Sequence, residues 1–414
     1  MVAMEKGPGE RGQAENRSVD ADRRESDPGD GVRGPHAWLN WQAQRAGLPA
    51  RSSSHGTAGV VLPLWVEFGL YSDTWFTGDL AFGPYQLLLA FPARARMPSL
   101  GHAELTMVLR ADDYLLNGSA EPINLVEQDV ETYTGGDLGD EIASLLALAS
   151  ARRVRSGGIM RHGYEKDPRG MPIYADHHPQ ALIAPARGAL LPTIAAGARF
   201  ADAEPYLLGY VGVDGSHAVA LLRAAHQYAD ALWWADADPR IAWIKLFGAL
   251  EAAASAWDID ARPDPIAQLD RRHPGLSRRL KRDTPDALTV VAESLSRILG
   301  AETKLLDFVL AHAPPAPTRR PTFGQIDFDD LEQALRVLYD HRSRDLHGGI
   351  PIPDPLCRPP MLDDDRVPIE AFPALAAAAG GGSWPVDRLP MFLHTFAYIA
   401  GEALRRWWLE LLPS

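Results

Sequence analysis

The pattern of apolar and polar residues changes character near residue 214. Upstream, apolar side chains come in short runs at 60–68, 85–91 and 103–109, separated by Gly, Pro and Asp. Runs of that length and punctuation predict strands. One helix is predicted among them, starting at Asp137 or Asp140 and ending near Arg155 before Gly157, with Ile142, Leu145, Leu146 and Ala149 facing inward. Apolar stretches at 180–191 and 206–213 complete a mixed region whose topology the pattern leaves open. Downstream, the repeat lengthens to three and four. Ser216 is a good N-cap for a helix to 235 that presents Val219, Leu222, Ala225, Ala229 and Leu232 on one side. A turn at 236–239 leads to a second helix, 241–257, with Ile244, Phe247, Leu250 and Glu251 among its repeating positions. The Pro-, Asp- and Arg-rich stretch 258–285 is predicted to be a connector. A third helix is expected over 287–311, interrupted near Gly300, and residues 314–321 cannot be helical because of their prolines. A fourth helix covers 329–346, a Pro/Gly loop 348–385, and a strongly amphipathic last helix 389–411. Antiparallel helices of this kind make a bundle.

The N-terminal residues 1–36 carry hardly any large apolar side chains, so they cannot offset the entropy of ordering. A short aromatic patch at Trp38 and Trp41 and a Ser/Gly stretch at 51–59 follow. The expected organisation is a disordered tail and linker (1–58), a mixed α/β domain (59–213) and an all-α bundle (214–414), an α+β chain overall.

Composition narrows the function. Apolar content of 46% and charged content of 23% are ordinary for a globular protein. One cysteine, Cys357, excludes a disulfide framework and a four-thiolate zinc site, and fits a reducing cytoplasm. No apolar run reaches the ~18 residues of a membrane span, and the charged first residues do not read as a signal peptide. The net charge of −13 argues against a general nucleic-acid coat. Any contact with a polyanion must be local. Arg271, Arg272, Arg278, Arg279, Lys281 and Arg282 form one basic stretch, and Arg152, Arg153, Arg155 and Arg161 another. Taken alone, each fits a solvated helix face.

The fourth helix holds the chemistry. Leu331, Ala334, Leu335 and Leu338 follow the spacing of a buried stripe, and its next position is Arg342. A guanidinium there must find a partner or line a cleft. His347 follows five residues later, just before Gly348 and Gly349, which stop the helix. A strong cation and a titratable imidazole make a workable pair for phosphate chemistry. The same residues allow a structural alternative, with Arg342 paired to Glu251 and His347 complementing the helix dipole.

The order of helices, Ala249-Leu250-Glu251 on the second, and Leu338-Tyr339 leading to Arg342-Ser343 and His347-Gly348 resemble a HEPN domain of the Apea-like type. The resemblance covers about residues 216–412, and its specific part is Arg, a polar residue, three residues, then His. It implies a HEPN-like helical bundle with metal-independent endoribonuclease activity and no cofactor. Arg342 and His347 would be the catalytic pair, Ser343 the polar residue that orients them, and Glu251 and Tyr339 supporting residues. It further implies an RNA substrate, a homodimer in which two motifs share a cleft, and a toxin or anti-phage defence role. The N-terminal domain would then meet a trigger or inhibitor, and non-catalytic members of the family make a binding module the alternative. The basic stretch 271–282 is the candidate substrate-binding surface. On a regular helix, residues five apart point roughly 140° from each other, so His347 is expected where the helix ends or bends.

Other motifs carry less. Asp176-His177-His178 lacks a second group of carboxylates at metal-ligand spacing. Asp112-Asp113 and Asp363-Asp364-Asp365 read as exposed acidic turns, and Ser156-Gly157-Gly158 lacks the Lys and preceding strand of a phosphate-binding loop.

Overall fold

A computed structural model of the protein describes residues 34–48, 64–90, 102–114, 133–164, 167–173, 179, 188–194, 196–257 and 264–413, with backbone alone at 168, 268, 271, 272 and 296–299. The first element is helix α1 (His36–Arg45). It lies within the span read from sequence as tail and linker, and Ala37, Trp38 and Trp41 are buried. The reason is aromatic anchoring. Trp38 Nε1 donates to the Val213 carbonyl at 3.0 Å, and Trp41 meets Phe82 and Tyr85 edge-on.

Strands β1 (Trp65–Ser72), β2 (Phe76–Thr77), β3 (Leu80–Phe82), β4 (Tyr85–Leu89) and β5 (Glu104–Asp112) follow. Next come α2 (Leu138–Ser150), β6 (Arg155–Tyr164), β7 (Asp167–Pro172), the two-residue β8 (Ala198–Arg199) and α3 (Phe200–Gly209). Six of the strands form one antiparallel sheet in the order β3-β4-β5-β1-β6-β7. β6 was absent from the sequence reading, because its glycines and arginines hide the alternation. Gly163 sits opposite Trp65, and a Cβ there would lie 1.8 Å from the indole, so only glycine admits the ring. Helix α2 begins with a capping box, Asp137 accepting from the Asp140 N–H at 3.0 Å. Its Ile142, Leu145 and Leu146 are fully buried.

The helical part comprises α4 (Gly215–Trp234), α5 (Pro239–Ala256), α6 (Pro265–Arg272), α7 (Pro274–Asp283), α8 (Pro285–Ala311), α9 (Glu332–Gly348) and α10 (Leu393–Glu410). The stretch read as a connector contains α6 and α7. Its prolines sit at the first helical turn, where a missing N–H costs nothing, and so start helices. α8 passes through Gly300 without interruption. In the Pro/Gly loop, β9 (Ala376–Ala379) pairs with β10 (Gly382–Pro385) as a hairpin. α10 packs against α5, α4, α2 and α8; Trp243 stacks on Phe396 with ring centroids 5.0 Å apart, and Trp407 meets Phe308 edge-on.

The sheet region and the helices share one apolar core. At their junction Arg153, 1% exposed, is held between Asp73 (2.7 Å) and Asp236 (2.6 Å) and donates to the Leu232 carbonyl at 2.7 Å. The neighbouring basic residues are also spent internally. Arg155 pairs with Asp230, Arg152 donates to the Ala196 carbonyl at 2.8 Å, and Arg161 donates to the Arg169 carbonyl at 3.3 Å. The Arg152–Arg161 stretch is thus a set of structural contacts, with Arg153 deeply buried. No helix among the described residues is long and apolar enough to cross a membrane.

Candidate functional site

Helix α9 buries Leu335 and Leu338, and Arg342 occupies the next position on that stripe. Its side chain is 17% exposed and its Nη2 donates to Glu251 Oε2 of α5 at 2.6 Å. The guanidinium carbon lies 5.6 Å from the centre of the Tyr339 ring, one turn earlier, within reach of a cation–π attraction. That ring meets Phe247 edge-on at 6.0 Å. Two neighbours therefore fix the guanidinium, while its Nε is buried without a partner. Partial burial pushes the Glu251 carboxyl up, and the charge of Arg342 pulls it down only in part.

His347 lies in the last turn of α9 and is exposed. Gly349 ends the helix in a left-handed conformation (φ 63°), its N–H returning to the Arg344 carbonyl, a geometry glycine adopts at little cost. Ser343 is half-buried. Arg342, Ser343, His347 and Tyr339 of α9 and Glu251 of α5 line one open cleft of about 630 Å³. Both members of the pair line the same cavity, with His347 still inside the helix.

Three further polar residues line this cleft that the sequence reading missed. Lys304 and Glu302 come from α8, and Ser255 from α5. Lys304 is exposed beside the fully buried Leu305, so its helical phase marks it as a surface residue. Nothing in the sequence says that this surface faces α9. Ser255 is tied back to the Glu251 carbonyl at 2.7 Å.

The basic stretch 271–282 is placed differently. Arg278, Arg279, Lys281 and Arg282 lie on α7 and none of them lines the cleft. Lys281 pairs with Asp270 at 2.7 Å and Arg282 with Asp283 at 2.8 Å, so local carboxylates neutralise part of the cluster. The side chains of Arg271 and Arg272 lie outside the described residues. Arg344 is exposed and bound to Asp340 at 3.1 Å, away from Arg342's partners. His341, on the same helix, is buried with Nε2 at 2.8 Å from the Arg388 carbonyl, and burial pushes its pKa down.

Among the described residues no three His, Cys, Asp or Glu side chains cluster as metal ligands, and Asp176-His177-His178 lies outside them. Asp363 is buried rather than exposed, which corrects the reading of 363–365 as a solvated acidic turn. Comparison with protein-family models, curated proteins and solved structures returned no match.

Proposed function

We propose that the chain is a HEPN-type endoribonuclease of the Apea-like class, and that the cleft between α5, α8 and α9 is its active site. The observation that supports this most is the shared lining: Arg342, Ser343 and His347 face one open cavity, where the motif's chemistry would require them. RNA carries its own nucleophile, the ribose 2′-hydroxyl next to the scissile phosphate. Arg342, held by Glu251 and Tyr339, would offer its remaining N–H groups to the phosphate as negative charge builds. His347, exposed at the helix end, would accept or donate the proton. Ser343 would orient the phosphate, and Lys304 would add a second cation to the cleft. One cleft holds one such His, so separate base and acid roles would need a second copy of the chain across a dimer. A toxin or anti-phage effector role, restrained or triggered through the N-terminal sheet region, is part of the same proposal and rests on the resemblance alone.

The test is expression and RNA cleavage by the wild type and His347→Ala. The wild type is expected to arrest growth and to cut tRNA or mRNA into fragments ending in 2′,3′-cyclic phosphate, undiminished by chelator. His347→Ala should do neither. Cleavage that persists in the variant, or that stops with chelator, would overturn the proposal.

The Glu251 ion pair favours a second reading, a non-catalytic module in which Arg342 is structural. In that case Arg342→Ala and Glu251→Ala should each lower stability by about 1 kcal/mol, the upper end for a pair still open to solvent on one side, with RNA left intact by the wild type.

A further inference from the structure

A second cavity, of about 240 Å³, lies where the segment after α8, the 363–370 turn and the start of α10 meet. Its walls are apolar, from Pro317, Pro321, Phe328 and Val367, and two guanidiniums, Arg319 and Arg366, stand at its mouth. Arg366 has a left-handed backbone (φ 59°), a region that side-chain-bearing residues rarely adopt. Buried Asp363 imposes it. Its carboxylate accepts the Val367 N–H at 2.8 Å and the Thr322 N–H at 2.9 Å, and its carbonyl accepts the Arg366 N–H at 3.0 Å. No hydrogen bond or ion pair engages the Arg366 guanidinium among the described residues. Arg319 is steadied through the Asp365 carbonyl at 2.8 Å.

The lining carboxylate does not balance these charges. Glu370 is already held by Arg320 through both oxygens, at 2.8 and 2.5 Å, and by the Ile326 N–H. The first turn of α10 also lines the cavity, through His394 and Thr395, with Tyr398 one turn further on. It has no acidic residue and no side-chain cap, so its positive end is uncompensated. His394 adds a specific feature. Its Nε2 lies 3.3 Å from Thr395 Oγ1, and that hydroxyl donates to the Glu370 carbonyl at 3.0 Å. Nε2 therefore carries the ring proton, and Nδ1 presents a lone pair. That Nδ1 is buried with no partner, an unusual state for a polar atom.

We propose that this cavity is a binding site for a small organic anion. The anionic end meets Arg319 and Arg366, and the apolar body lies against Phe328, Pro321 and Val367. The site is separate from the cleft of α9 and stands whether or not that cleft cuts RNA. A volume of about 240 Å³ is below the usual range for drug-sized ligands, so a single substituted ring is the size it takes.

Isothermal titration calorimetry on the full chain tests this with para-hydroxybenzoate, phenyl phosphate and the neutral para-hydroxybenzyl alcohol. The two anions are expected to bind and the alcohol to bind at least about tenfold more weakly, the ratio set by the lost charge contacts. Arg366→Gly should cost a similar factor for the anions. Because glycine suits that φ, the variant should remain as folded as the wild type by its melting profile, and Arg319→Gln provides a second charge deletion. Arg342→Ala, in the other cleft, should bind like the wild type. The proposal fails if neither anion binds, if the alcohol binds as well as the anions, or if Arg366→Gly and Arg319→Gln leave affinity unchanged.

Discussion

At position 342 a cation stands on an apolar stripe, and such a placement has to be explained. The structure gives two explanations at once, a carboxylate on the neighbouring helix and an open cavity on the other side. His394 was not legible, although it is as unusual. In sequence it is one polar residue at the start of an amphipathic helix, and only burial makes it costly. Burial pushes its pKa down from 6.5 to about 4, which fixes the sign of a stability effect. Between those values the unfolded chain binds more protons than the folded one, so His394 supports the fold above about pH 6.5 and that support is lost as pH falls through about 4. Integrated over the shift, the loss is on the order of 3 kcal/mol. Urea unfolding of the wild type and His394→Asn at neutral pH and near pH 4 measures it. The wild type is expected to lose more stability on acidification than the variant, and equal losses would mean that the imidazole stays solvated.

Among the elements, helices with a clear apolar repeat were readable to within a few residues. α4, α5, α9 and α10 bury side chains every three or four positions. The strands were half readable, since β1, β4 and β5 have apolar runs whereas β6 is broken by glycines, of which Gly163 makes room for Trp65. α6 and α7 were missed because proline both breaks helices and begins them, and sequence alone does not say which. The same pair of helices decides how the basic stretch should be weighed. On α7, Lys281 and Arg282 already have carboxylate partners, whereas Lys304 on α8 lines the cleft itself. For RNA bound in that cleft, Lys304→Gln is expected to reduce the slope of log affinity against log salt by about 1, while Lys281→Gln changes it little. Fluorescence anisotropy with a short single-stranded RNA at several salt concentrations distinguishes them. A larger change for Lys281→Gln would move the binding surface from the cleft to α7.

At the scale of the whole molecule, the question is what couples the sheet region to the helices, since any sensing by the first must reach the second through their junction. The apolar core is continuous across it, but apolar contacts are tolerant of small displacements, and a buried ion cluster is not. Arg153 follows α2, Asp73 follows β1, and Asp236 lies between α4 and α5. Asp236 also accepts the Leu190 N–H at 2.7 Å, so four segments converge on one guanidinium that is 1% exposed. The sequence concealed this, because Arg153 sits in a basic run that looks solvated and its partners lie some eighty residues away on either side. Removing one member of such a cluster strands the others in a poorly solvating interior, at a cost of about 3–5 kcal/mol. Arg153→Ala is therefore expected to lower unfolding stability by that amount, whereas Arg155→Ala, whose pairing with Asp230 is about one-third exposed, should cost about 1 kcal/mol or less. Chemical denaturation followed separately by Trp fluorescence and by far-ultraviolet circular dichroism shows how the loss is distributed. Coincident transitions in Arg153→Ala mean that the sheet region and the helices unfold together even without the cluster. Separated transitions mean that the ion cluster is what makes them a single cooperative unit, and with it the route by which an event at the sheet could reach the cleft of α9.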